Sequence, residues 1–335
     1  MENENAEVRL FGVLADQIEP KWMVDVGAHR GTMFLPFLQA GWRIDAFEPF
    51  TSSFEWLESQ FGHNERVVLH PEAMSDTSGT KAFHLATSLD GEQAHDFYHS
   101  LEVLRDDDFH RKGDIVEVTT VCIDDLVELG ALPPKVGVLK IDTEGHDLQV
   151  LKGAGRLSAE VVCVEFWCPE HPQGPSPYPP EEIVELMRER GYSNYIVVEH
   201  DLADNARFRA SLSDVPPEAW GNLLFFRSKS GPYASTWEWW GTQHHLHLES
   251  GLAEAEQALV DKEKVIREQA IAMREQAAGL DALRTQLETL LVQLENVRSV
   301  GGAARNLTRE VYRTLGDLKR SLYGRTGRRT QTPEN

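Results

Sequence analysis

The chain has 335 residues, 33 Lys+Arg against 54 Asp+Glu, a formal net charge of −21 and 41% apolar residues. That is roughly two domains' worth of chain with material for a sizeable core, and so acidic a total repels polyanions, which argues against nucleic acid as a partner. No apolar run is long enough for a membrane span, the acidic start Met1-Glu2-Asn3-Glu4-Asn5 is unlike a signal peptide, and three cysteines (Cys122, Cys163, Cys168) suit neither a disulfide framework nor a zinc motif, so a cytoplasmic globular protein is expected.

Residues 1–240 alternate apolar strand runs with helical stretches. Strands are expected at Trp22–Gly27, Arg43–Glu48, Val67–Leu69, Val136–Asp142 and Val161–Phe166, with helices near Thr32–Ala40, Ser53–Phe61, Leu148–Leu157 and Pro180–Gly191. Tyr195–Val198 and Leu223–Phe226 read as a hairpin that completes the pattern. Two further strands, near Lys81–Ala86 and Ile115–Val121, interrupt the alternation as a hairpin or inserted flap. Strands alternating with helices imply an open α/β sheet with ligand bound at the carboxyl ends of its strands.

Four stations along this pattern carry chemistry. The first is Asp25-Val26-Gly27-Ala28-His29-Arg30-Gly31, a strand-to-helix turn in which Gly27 permits a sharp turn and Gly31 a close approach of the next helix. The acid at Asp25 and the missing Gly-x-Gly-x-x-Gly favour a cationic or hydroxyl-rich ligand over a diphosphate. Glu48, 23 residues beyond Asp25 at the end of the second strand, is placed to accept both hydroxyls of a ribose. The third station, Glu72-Ala73-Met74-Ser75-Asp76, offers Glu72 or Asp76 as acceptors for an adenine amino group. The fourth is Leu139-Lys140-Ile141-Asp142-Thr143-Glu144-Gly145-His146-Asp147. A lysine inside a buried strand must be paired, and Asp142 or Glu144 is the expected partner.

These stations, with Phe47-Glu48-Pro49, Gly79, Ser100-Leu101 and Val150-Leu151-Lys152-Gly153-Ala154 in the same order and spacing, resemble the FkbM-type methyltransferases, a class I S-adenosylmethionine-dependent family. The resemblance covers roughly residues 20–170. It implies a Rossmann-like seven-stranded methyltransferase sheet, S-adenosyl-L-methionine bound above Asp25, Gly27, Gly31 and Glu48, and O-methylation of a hydroxyl on a sugar, polysaccharide or natural product. The chain departs from the family at His29, where asparagine is frequent; His29 is then a base, a donor to the cofactor or a plain loop residue.

A hydroxyl is a poor nucleophile at neutral pH, so a base is expected among Asp142, Glu144, His146 and His29. Asp142 suits cofactor or acceptor positioning, and the His146 imidazole is better matched to proton transfer. No metal ligand is assigned: His244, His245 and His247 beside Trp237, Trp239 and Trp240 form a cluster able to bind a metal, but they read first as a segment that docks the long helix on the globular domain. Trp167, His171 and Pro172–Pro180 read as an acceptor-side loop or a rigid connector. Two competing readings are a coiled-coil scaffold with a degenerate domain and a nicotinamide-dependent dehydrogenase. The intact acids and glycines count against the first, and the glycine pattern against the second.

Beyond residue 250 the composition changes. Leu252, Leu259, Ile266, Met273, Leu280, Leu287 and Leu294 recur every seven residues, which predicts a coiled coil over 250–300 and a homo-oligomer. Residues 301–335 hold 8 Lys+Arg and 3 Asp+Glu, net +5, against −26 for the rest. Leu307, Val311, Leu315, Leu318 and Leu322 share a helix face there, so residues 305–322 suit peripheral contact with an anionic membrane, or packing on protein.

Overall fold

A computed structural model describes residues 6–88, 97–103, 111–171, 177–200 and 206–243, together with 261–262, 264–265, 288–289 and 313. The chain divides into two compact units, 1–240 and 241–335. In the second, the isolated described positions are helical. The remainder of the heptad repeat, most of the basic tail and the cluster His244, His245 and His247 lie outside the described residues. Among those described, no helix is long and apolar enough to cross a membrane.

The first unit is a three-layer α/β/α arrangement. In chain order it runs α1 (Ala6–Leu14), β1 (Trp22–Val26), α2 (Leu35–Gln39), β2 (Arg43–Phe47), α3 (Thr51–Phe61), β3 (Val67–His70), β4 (Ala73–Ser75), β5 (Gly79–Thr87) and β6 (Arg111–Cys122). It continues with α4 (Ile123–Glu128), β7 (Lys135–Ile141), α5 (Asp147–Lys152), β8 (Ser158–Trp167), α6 (Pro180–Glu189), β9 (Asn194–His200), β10 (Ala206–Arg209) and β11 (Trp220–Phe226).

The main sheet has the order β10-β9-β11-β8-β7-β1-β2-β3. Strands β3, β2, β1, β7 and β8 are parallel, and β11 runs antiparallel to both β8 and β9. The sheet is therefore eight-stranded, not seven. The additional strand is β10, a four-residue edge strand on β9 whose inward apolar residues, Ala206 and Phe208, alternate with arginines and give no apolar run to read in sequence. The expected pairing of 195–198 with 223–226 exists, but β11 also pairs with β8 and so lies between β8 and β9. The interrupting strands β5 and β6 do pair antiparallel, and β4 joins β6 to make a separate three-stranded sheet.

Side chains on a strand point alternately to either face, and here the two faces build two cores. Val24, Val26, Leu139, Ile141, Val162 and Val164 meet α4, α5 and α6 through Ile123, Leu148, Leu151, Ile183 and Met187. Met23, Val138, Val161 and Cys163 meet α1, α2 and α3 through Leu10, Phe11, Leu14, Phe37 and Leu57, and Trp237, Trp239 and Trp240 pack against this second layer. Continuous apolar strands buried on both faces are what a parallel sheet requires. From β1 the chain steps outward to β2 and β3, then returns on the other side of β1 as β7 and β8. That reversal leaves a crevice between β1 and β7 at their carboxyl ends.

Candidate active site

A cavity of about 760 Å³ opens at this switch point, within the range of pockets that bind small molecules, about 300–1,000 Å³. Its floor is organised by Lys140. The Lys140 side chain is 2% exposed, lies on the same sheet face as Asp25, and donates to the Gly27 carbonyl at 2.7 Å. Its Nζ is 3.2 Å from Asp25 Oδ1 and 3.3 Å from Asp142 Oδ2. Burial opposes the ammonium charge, but Asp142 and Asp25 outweigh it and push the pKa up, so Lys140 stays charged. Burial raises Asp25 in turn, with Lys140 pulling it back. The expected partner Asp142 is present; the other partner is Asp25, not Glu144. Asp25 is wholly buried, so it shapes the turn from beneath.

Gly27 sits at φ +73°, and a Cβ on it would fall 1.8 Å from the Asp142 carbonyl oxygen. Only glycine lets the end of β1 pass this close to the end of β7. Gly31 is also left-handed, and a Cβ there would strike the Phe34 ring at 2.4 Å. Its demand is intramolecular, and it does not line the cavity.

Glu48 follows β2 and reaches back across the turn. Its two carboxylate oxygens accept from the His29 amide at 2.7 Å and the Phe50 amide at 2.8 Å. This fixes the side chain at the cavity wall while each oxygen keeps a further lone pair. Burial pushes its carboxyl up to about 7 against the pull of those two amides. His29 lines the cavity at φ +46°, its ring 4.7 Å from Phe97. Ala73 and Met74 of β4 continue the wall, but Glu72 and Asp76 do not line it. Asp76 is bound to Lys81 at 2.9 Å, which holds its carboxyl down at about 2.

The loop after β7 is acidic and braced. Asp147, the first residue of α5, accepts from the Thr143 amide at 2.8 Å, the Thr143 hydroxyl at 3.0 Å and the Gly145 amide at 3.1 Å. Burial, reinforced by Asp142, raises its carboxyl to about 6. Ser100 donates to the Glu144 carbonyl at 2.7 Å from the segment 97–103, which contributes Phe97, Tyr98, His99 and Leu101 to the cavity. Within the loop, Glu144 adopts φ +54°. Its carboxylate meets those of Asp142 and Glu165, one oxygen of each lying within 4.8 Å of the others. Burial raises Glu144 well above the usual carboxylate range, with Asp142 and Asp147 adding to it. Glu165 is raised likewise, by burial first and then by Asp142 and Glu144. Two carboxylates, those of Asp25 and Asp142, thus pair with one buried ammonium, while Glu48, Glu144 and Glu165 line the same cavity with their carboxyls raised by burial.

His146 is held elsewhere. It is 5% exposed, with Nε2 2.9 Å from Ser75 Oγ and Nδ1 2.7 Å from Glu102 Oε1. Ser75 also accepts from Lys81 at 2.6 Å and donates to Asp76. Both ring nitrogens therefore serve a buried network that pins the three-stranded sheet to the β7–α5 loop, and His146 does not line the cavity. The structure brings together Gly27, His29, Glu48, Asp142 and Glu144, with Asp25 directly beneath. Glu165, Trp167, Trp220 and Asn222, also on the cavity wall, went unassigned or only half-read in the sequence. The period-2 spacing of Cys163, Glu165 and Trp167 along β8 was the available signal.

The described residues fit an S-adenosyl nucleoside: an acid at the end of β2 for hydroxyls, an apolar wall beyond it, and the Asp142 carboxylate on the wall for a sulfonium. A sequence model of the family described as the methyltransferase FkbM domain matches residues 25–193, about half of the chain. No curated protein matches. Among solved structures the chain is similar to precorrin-6y C5,15-methyltransferase from Geobacter metallireducens GS-15, at 11% identity over 68% of this chain and 93% of that one, with a TM-score of 0.33. It is similar to the N-terminal domain of EvdMO1 in the presence of SAH and D-fucose, at 10% identity over 68% and 83% with a TM-score of 0.36. It is also similar to the bifunctional kinase-methyltransferase WbdD, at 12% identity over 68% and 40% with a TM-score of 0.37. The family match falls on the turn of β1, on Glu48 and on the acidic loop after β7, and the chain belongs to the FkbM methyltransferase family, with S-adenosylmethionine as its cofactor.

Proposed function

We propose that the protein methylates a hydroxyl oxygen on a sugar, polysaccharide or other polyhydroxylated natural product. The observation that carries this reading is the convergence of Asp142, Glu144 and Glu165 where β7 and β8 end. Hydroxyl groups donate well to carboxylates, and a carboxylate whose pKa is raised by burial is a stronger base when ionised.

The cofactor supplies a methyl group on a cationic sulfur. Glu48 holds ribose hydroxyls, Gly27 and His29 form the turn beside them, and Asp142 carries negative charge to the reacting end. Lys140 fixes Asp142 there and keeps the floor from flexing. Glu144 takes the acceptor proton: its Oε2 is buried with no hydrogen-bond partner, and the braced loop holds it in place. Bound there, S-adenosylmethionine would supply the methyl group to the acceptor oxygen, and Glu144 would hold the proton that the hydroxyl gives up. Most of the rate then comes from alignment of oxygen and methyl, with proton transfer contributing about 10²–10⁴-fold.

The test is turnover of labelled S-adenosylmethionine with a cell glycan extract, comparing the native chain with Glu144→Gln. The variant is expected to bind S-adenosylhomocysteine normally by calorimetry and to lose at least about a hundredfold in kcat. Unchanged kcat removes Glu144 from the chemistry, and label appearing on nitrogen or carbon removes O-methylation.

A further inference from the structure

The family match ends at residue 193, yet one wall of the cavity lies beyond it. That wall is formed by His200 at the end of β9 and by Trp220 and Asn222 on β11. Register fixes how it faces the chemistry. Asn222 stands opposite Glu165, while Trp220 stands opposite both Trp167 and His200. Since side chains alternate along each strand, these five share one face in two cross-strand rows. The first row is polar: Glu165 and Asn222, continuing from Asp142. The second is aromatic: Trp167, Trp220 and His200, with Trp167 and Trp220 stacked at 5.3 Å and Trp220 and His200 at 4.7 Å. Glu165 accepts from the Trp167 indole at 2.9 Å and ties the rows together at one end.

At the other end the tie comes from the amino terminus. Glu7 in the first turn of α1 is fully buried, a costly place for a carboxylate unless it is well paired. Its Oε1 is 2.6 Å from His200 Nε2 and accepts from Asn222 Nδ2 at 3.0 Å. One carboxylate therefore sets the side chains of one residue from each row. Val8, next in the helix, lines the cavity itself.

We propose that Asn222, Trp220 and His200 form the acceptor-binding wall, with Glu7 as the positioning residue that sets it. The ligand this wall suits is a pyranose-like ring. Its hydroxyls bond along the Glu165–Asn222 row while its carbon body lies against the aromatic row. A phenolic ring presents too few hydroxyls to satisfy the polar row. The inference rests on the methyl-transfer reading above and adds which residues select the acceptor.

The experiment uses the full chain and two variants, Glu7→Gln and Asn222→Ala, with labelled S-adenosylmethionine and a panel of methyl pyranosides and simple phenols. S-Adenosylhomocysteine affinity is measured alongside. Expected is methylation of at least one pyranoside, with acceptor KM raised about tenfold in each variant, as for loss of one hydrogen-bonding partner. S-Adenosylhomocysteine affinity and kcat should stay within about threefold of native, against the roughly tenfold change expected in acceptor KM. A merely structural Glu7 would lower kcat, cofactor affinity and acceptor binding together, and that pattern overturns the assignment. So does an unchanged acceptor KM in Asn222→Ala. If phenols alone are methylated and both variants raise their KM, the wall stands and the pyranose assignment falls. A native chain that binds S-adenosylhomocysteine but methylates nothing in the panel overturns both the pyranose assignment and the wall built on it.

Discussion

S-Adenosylhomocysteine should bind this protein more tightly as the pH rises from 6 to 8. Glu48, proposed above to hold the ribose, is the reason: its carboxyl is raised to about 7 by burial, and hydroxyls bond best to an ionised carboxylate, which accepts without donating. With a midpoint near 7, the ionised share is roughly one part in eleven at pH 6 and ten in eleven at pH 8, a ratio of about tenfold or ~1.4 kcal/mol. Affinity by calorimetry should therefore improve by up to about tenfold over that interval. The sign for stability is the reverse. The folded pKa lies above the unfolded value, so the folded state holds this proton more strongly, and the ligand-free protein loses stability as pH rises from about 4.5 through about 7. The thermal midpoint of the ligand-free protein should fall across that range while the increment produced by S-adenosylhomocysteine grows. Glu48→Gln should bind more weakly, with an affinity independent of pH. Asp147, raised to about 6, also titrates in the window, and the Gln variant separates the two. A native affinity flat from pH 6 to 8, or a Glu48→Gln profile parallel to the native one, would refute the reasoning.

Two further outcomes follow from the buried charges. Lys140→Met leaves Asp25 and Asp142 without their shared cation and should cost about 3–5 kcal/mol in urea unfolding; adding Asp25→Asn should recover part of that loss, and a strictly additive double variant would show the pair is not coupled. His146→Ala breaks the buried contacts to Ser75 and Glu102 and should cost about 1–3 kcal/mol of stability while leaving the pH profile of kcat unmoved; a lost acidic limb in that profile would return His146 to the chemistry as a base.

Local pattern made the central strands legible. Val24–Val26, Val138–Ile141 and Val161–Val164 read as buried strands because both faces of a parallel sheet are apolar. Glu48 was legible because the distance from one strand end to the next is nearly fixed in a βαβ unit. A cation inside a buried strand demands pairing, and Lys140 announced that need, but Asp25 as the second partner depends on β1 lying beside β7, a contact over more than a hundred residues. The same limit hid the rest. Nothing near His146 in sequence shows that Ser75, 71 residues away, takes its Nε2. Nothing near Glu7 shows that Asn222, 215 residues away, shares its carboxylate. Helix α1 was readable in principle, since Leu10, Phe11, Leu14 and Ile18 follow helical spacing. Its role was not, because that is set by what it covers.

The position of β11 bears on how such a sheet is assembled. The last strand among the described residues is an interior one, seated between β8 and β9 with hydrogen bonds to both. Until residues 220–226 emerge from the ribosome, Val161–Phe166 and Tyr195–Val198 have no neighbour on the side that β11 will fill. Open edges of this composition invite pairing with other chains, and pairings over long sequence separations form slowly. A polypeptide cut before Trp220 would thus keep the family's motifs and still expose two apolar strand edges. By filling that gap β11 closes two apolar strand edges at once, quite apart from the Asn222 and Trp220 side chains it carries.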